Sequence, residues 1–123
     1  MNYVREQLAC LEFLYSLDAQ QRAQAISLVR EQVIHAVCEA IANVINYSRF
    51  SADDKDSLKK VLSPYKEEIR TLADSKISQS RRVKHLTRIQ GRPLELILKS
   101  AIALYREHLA SKEKREEKKD ASV

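Results

Sequence analysis

Val29-Arg30-Glu31-Gln32-Val33-Ile34-His35-Ala36-Val37-Cys38-Glu39-Ala40-Ile41-Ala42-Asn43-Val44-Ile45 is the stretch whose pattern decides the fold. Continuing from Ile26, the apolar positions Val29, Val33, Val37, Ile41 and Val44 recur every three or four residues, the period of an α-helix. A second row, Ile34, Cys38, Ile41 and Ile45, makes the segment apolar on more than one side. A helix of that kind must be surrounded by others, so it is expected at the centre of a bundle. The pattern permits a break near Arg30-Glu31, although no Gly or Pro imposes one.

The segments on either side carry helical signals of their own. Val4, Leu8, Leu11 and Tyr15 form an amphipathic stripe, widened by Phe13, Leu14 and Leu17. Asp18 followed by Gln21 has the form of a capping box opening the next helix. Ser51 precedes Asp53 and Asp54, whose carboxylates favour a helix start through the macrodipole. Ser63-Pro64 reads as an N-cap with proline at the first helical position. Ser78 or Ser80 caps a basic helix that Gly91 ends, and Pro93 starts a last helix reaching about Ala110. Beyond Ser111 no large apolar side chain occurs until Val123, so residues 111–123 are expected as a charged tail, a frayed helix or disordered.

Composition agrees. A chain of 123 residues with 44% hydrophobic residues, one Gly and two Pro suits continuous helices and lacks the turn residues of a sheet protein. The expectation is an all-α, compact bundle of five to seven helices in one domain, residues 1–110, with a charged C-terminal extension. Cys10 and Cys38 fall in helical apolar patterns and are read as reduced core residues of an intracellular protein. Residues 1–9 contain Arg5 and Glu6 and no long apolar run, so no signal peptide is read there. No apolar run approaches the roughly 18–20 residues that span a bilayer, and no membrane partner is expected.

The sharpest functional signal is charge. Lys76, Arg81, Arg82, Lys84, Arg88 and Arg92 lie between positions 76 and 92 with no Asp or Glu among them. These six cations exceed the chain's net charge of +5, so the rest is slightly acidic. With Arg81 at zero on a helical wheel, Lys84, His85 and Arg88 fall within about 60°, whereas Ile89, Leu86 and Val83 fall near roughly 80°, 140° and 200°. Cations therefore oppose the apolar face, with Arg82 flanking the stripe and Arg92 just past the glycine. Like charges at this spacing repel, so something must compensate them: phosphates, the carboxylates of Asp53, Asp54, Asp56, Glu67 and Glu68, or water. No aromatic residue lies within the segment, so base stacking is not expected and backbone contact is. Arg81-Arg82-Val83-Lys84 also has the look of a nuclear import signal.

Other chemistry finds little support. His35 and Cys38 stand three apart and could supply two metal ligands, but a structural zinc site needs four. Cys38 is read as core and His35 as a surface or half-buried residue. There is no nucleophile turn and no glycine-rich phosphate loop. Glu67-Glu68 and the Asp53–Asp56 cluster suit helix starts better than acid–base work. No enzyme, metal or cofactor is expected. Asn43 and Asn46, on the apolar helix, are read as buried hydrogen-bonding residues.

One resemblance covers about half of the chain. Ala36-Val37-Cys38-Glu39 with Asn43-Val44, Pro64-Tyr65-Lys66 with Ile69-Arg70-Thr71-Leu72-Ala73-Asp74, and Ser78, Arg81-Arg82-Val83-Lys84, Leu86 and Gln90-Gly91 carry it. Together they resemble a family of short proteins encoded by adenovirus-like mobile DNA elements, the Polinton/Maverick and adintovirus group. In that family the basic segment ends in two glycines and an apolar stretch; here Arg92-Pro93 stands in place of the second. The resemblance implies a small virus- or transposon-encoded helical protein associated with packaged DNA or the virion, hence a nuclear or virion location.

The leading expectation is a non-enzymatic nucleic-acid-binding protein using Arg81, Lys84, Arg88 and Arg92, with Lys76 and Arg82 as flanking contacts. The alternative is an adaptor or homo-oligomer. There the apolar last helix supplies the interface and the basic stripe meets an acidic protein partner.

Overall fold

The computed structural model describes residues 2–47, 49–74 and 76–121, with side chains for 4–47, 49–74 and 76–112. In chain order the helices are α1 (Asn2–Ser16), α2 (Ala19–Leu28), α3 (Glu31–Ile45), α4 (Ala52–Leu62), α5 (Lys66–Ala73), α6 (Gln79–Ile89) and α7 (Arg92–Ala121). A 3-10 turn, Ser63–Tyr65, joins α4 to α5. The protein is an all-α bundle, and no strand occurs among the described residues.

The central helix is α3. It lies against α1, α5, α6 and α7 and buries Ile34, Val37, Cys38, Ile41 and Val44 together with Ala36 and Ala40. Both rows read from the sequence are needed for that, except that Ile45 emerges 42% exposed at the end. Leu11 and Leu14 of α1, Ile69 and Leu72 of α5, Leu86 and Ile89 of α6, and Leu94, Ile97 and Leu98 of α7 belong to the same buried core. Each fully buried Leu or Ile contributes about 1.5–3 kcal/mol of transfer free energy. The α1 stripe is narrower than its sequence suggested: Phe13 and Tyr15 are 52% and 41% exposed.

The helix boundaries follow local chemistry. Asp18 accepts from the Gln21 N–H at 2.7 Å, and the Gln21 side chain accepts from the Asp18 N–H at 3.2 Å, closing the capping box. Ser51 Oγ accepts from the Asp54 N–H and Ser78 Oγ from that of Arg81. A break does separate α2 from α3, at Val29 and Arg30, both extended. Ser63 and Pro64 form the 3-10 turn, so α5 begins at Lys66 and not at the proline.

Helix α6 does end just ahead of Gly91, at Ile89 with Gln90 as its C-cap, and the glycine follows without a left-handed conformation. It has no positive φ, and its carbonyl accepts the Glu95 N–H at 3.0 Å, so it opens α7. That helix continues through Ala121, carrying the charged segment on as an extension of the last helix.

Candidate nucleic-acid interface

The α6 helix sorts the basic residues by burial. Its inner side holds Leu86, Ile89 and Arg82, and its outer side presents Arg81, Lys84 and Arg88. Arg92, at the start of α7, and Lys76, ahead of α6, are exposed as well. No ion pair joins any of these five exposed cations to a carboxylate among the described residues. The internal partners considered from the sequence, Asp53, Asp54, Asp56, Glu67 and Glu68, are therefore not used. Arg81 to Arg88 spans seven residues, roughly 10 Å of helix. Duplex DNA carries about six charges over that length, at one per ~1.7 Å.

The arrangement offers little for reading bases. Thr87, exposed on the same helix, donates its hydroxyl to the Val83 carbonyl at 2.8 Å, and no aromatic side chain stands in the stripe. What it offers an anion is positive charge along one face.

Arg82 departs from the expectation. It is 7% exposed and reaches across to α3, where its Nη1 donates to His35 Nδ1 at 3.4 Å. A guanidinium only donates, so the imidazole nitrogen is the acceptor in this contact. Nε2 lies 3.7 Å from Glu39 Oε2, which also accepts from Gln7 Nε2 at 2.9 Å. The result is a polar chain Arg82–His35–Glu39–Gln7 linking α6, α3 and α1. Arg82 belongs to the packing between helices and is removed from the candidate contacts.

Cys38 lies beside this chain. Burial pushes its thiol up to about 11, partly opposed by the Arg82 charge. At neutral pH it is a protonated core residue without thiolate reactivity. Burial also raises the Tyr105 phenol, against a hydrogen bond from Asn43 Nδ2 to its oxygen at 2.9 Å. Asn43 and Asn46 themselves are exposed, contrary to expectation; Asn43 works at the rim of α3, not inside it.

The feature that sequence reasoning missed is Arg22. It is 1% exposed, and each of its three guanidinium nitrogens donates a hydrogen bond. Nε donates to the Leu14 carbonyl at 2.9 Å and Nη2 to that of Leu17 at 2.6 Å. Nη1 donates to the Gln90 carbonyl at 2.7 Å and to Glu95 Oε1 at 3.1 Å. One side chain thus bonds carbonyls at the ends of α1 and α6, where helix geometry leaves acceptors short of partners, and pairs with the first turn of α7. Of these carbonyls, among the described residues only that of Leu14 also takes a backbone N–H, from Leu17. It clamps the α6–α7 junction and so fixes the direction in which the basic stripe faces. A signal existed: Arg22 lies four residues before Ile26, on the face that α2 buries.

Among the described residues no group of three or more His, Cys, Asp or Glu stands together to hold a metal ion, and no helix is long and apolar enough to cross a membrane. Compared with protein-family models, with curated proteins and with solved structures, the chain matches none.

Proposed function

We propose that the protein is a non-enzymatic binding protein that contacts the nucleic-acid backbone, with little sequence preference, through Arg81, Lys84, Arg88 and Arg92. The observation that carries this reading is the set of exposed cations, without ion pairs among the described residues, on the outer face of a helix whose inner face is locked into the core. Lys76 flanks them. Helix α6 cannot turn this face inward, because Leu86 and Ile89 are fully buried and Arg22 holds its end. The resemblance to proteins of Polinton- and adintovirus-like elements supports DNA as the ligand, in a nuclear or virion setting.

The competing reading, association through the last helix, has less apolar surface to draw on among the described residues, Leu104 and Leu109 being half-buried. Leu94, Ile97, Leu98, Ala101, Ile102 and Tyr105 are all buried in the core, and among the described residues none of the exposed large hydrophobics lies on α7. The deciding experiment is binding to random-sequence duplex DNA at several salt concentrations, comparing the wild type with the R81E/K84E/R88E variant. Salt-sensitive binding that the variant abolishes is expected. Absent binding, or binding that survives the reversal, rejects the reading.

A further inference from the structure

A second cationic surface lies between the end of α3, helix α4 and α5. It is a groove of about 520 Å³ with an apolar interior formed by Val44, Ile45, Phe50, Leu58, Leu62 and Ile69. Its charged lining residues are Lys55, Lys59, Lys66 and Arg70, with no carboxylate among them. None of the four makes an ion pair among the described residues. The groove's one hydroxyl outside Tyr47, that of Ser63, is spent on the Lys59 carbonyl at 2.6 Å.

Helix α4 explains why the groove stays open. A surface helix ordinarily buries its apolar stripe against the core, yet α4 buries no side chain fully. Leu58 and Leu62 are only half-buried, and Ile45 stands 42% exposed. The helix has 11 residues, so the groove beside it runs for about three turns, roughly 16 Å.

From this charge and shape we infer that the groove docks an acidic amphipathic helix of a partner protein. Leu or Phe side chains spaced i, i+3 or i+4, and i+7 would enter the apolar interior, as in other helix-in-groove complexes. Asp and Glu on the flanks of the same helix meet Lys55, Lys59, Lys66 and Arg70. Single-stranded nucleic acid fits the lining less well. The Tyr47 and Phe50 rings pack edge-on against each other at 4.7 Å, and the aliphatic interior has few groups to bond base edges.

The test uses the full chain and a fluorescein-labelled synthetic peptide of about four helical turns, with Leu at the stated spacing and Glu on its flanks. Fluorescence anisotropy reads affinity, and amide chemical shifts of the wild-type protein read location. Saturable binding is expected, with shifts clustered in residues 44–70 and an affinity loss of about tenfold or more in K55E/K59E/K66E/R70E. R81E/K84E/R88E should leave the affinity unchanged, which separates this surface from the α6 stripe. The inference is overturned by absent binding, by equal binding of a scrambled peptide of the same composition, or by shifts elsewhere on the protein. It is equally overturned if oligo(dT) displaces the peptide by shifting the same groove amides.

Discussion

Arg81 and Arg82 are neighbours in sequence, and they occupy opposite regimes. Arg81 is exposed, while Arg82 is buried against α3 and bonded to His35. The same division separates Arg22, enclosed by three backbone carbonyls and Glu95, from Lys84, Arg88 and Arg92, which face solvent. The buried arginines hold helices together, and the exposed cations face solvent, where the proposed function assigns them an external anion. Counting positive residues does not separate these roles; their angle relative to the apolar stripe does.

The comparison breaks most severely at Arg22. Replacing it by Met removes the charge but leaves the carbonyls of Leu17 and Gln90 without the donor that Arg22 supplies, while that of Leu14 keeps the Leu17 N–H at 3.3 Å. Each buried acceptor left unsatisfied costs about 1–3 kcal/mol, so the two together make this the largest loss expected, to be read from urea denaturation. The Arg22–Glu95 pair alone accounts for little of this, because Glu95 is 42% exposed and such a pair is screened by solvent.

Arg82→Ala should come next. It leaves His35 and the α6–α3 contact short of a donor, for a loss of about 1–3 kcal/mol. Arg81→Ala should change stability by no more than about 0.5 kcal/mol, as surface substitutions do. If both variants are equally stable, the division drawn between the two arginines fails.

The cysteines give a chemical version of the same contrast. Cys38, buried and held protonated, with its thiol pushed up to about 11, should resist maleimide at neutral pH until the protein unfolds. Cys10 is only half-buried and should label first. Rapid native-state labelling of Cys38, followed by mass spectrometry, would contradict the packing described around Arg82.

The smallest effect is expected at Gly91. A Cβ there would meet nothing within 4 Å, and the φ is not positive. Gly91→Ala trades a weaker N-cap for a less flexible unfolded chain, so stability should shift by less than about 1 kcal/mol in a thermal melt. A larger loss would show that the junction after α6 needs glycine itself.

Much of the fold was legible because apolar periodicity and capping are local. The doubled stripe of residues 29–45 identified the central helix, and Asp18, Ser51 and Ser78 cap as their side chains dictate. Arg22 was not legible in the same way. Its acceptors are mostly backbone carbonyls at positions 14, 17 and 90, and carbonyls leave no mark on a sequence. Arg82 was closer to readable. At 100° from Arg81 it falls between Ile89 and Leu86 on the wheel, inside the apolar sector and not beside the cations.

The central claim, that only the exposed cations meet phosphate, is tested most directly by the salt dependence of duplex DNA binding in single alanine variants. With four phosphate contacts, the slope of log K against log salt should be about −3.6 for the wild type. Removing Arg81, Lys84, Arg88 or Arg92 should each make it shallower by about 0.9, whereas Arg82→Ala, assayed below its melting temperature, should leave the slope unchanged. A slope that responds to Arg82 as it does to Arg81, or that ignores all four exposed residues, would contradict the account.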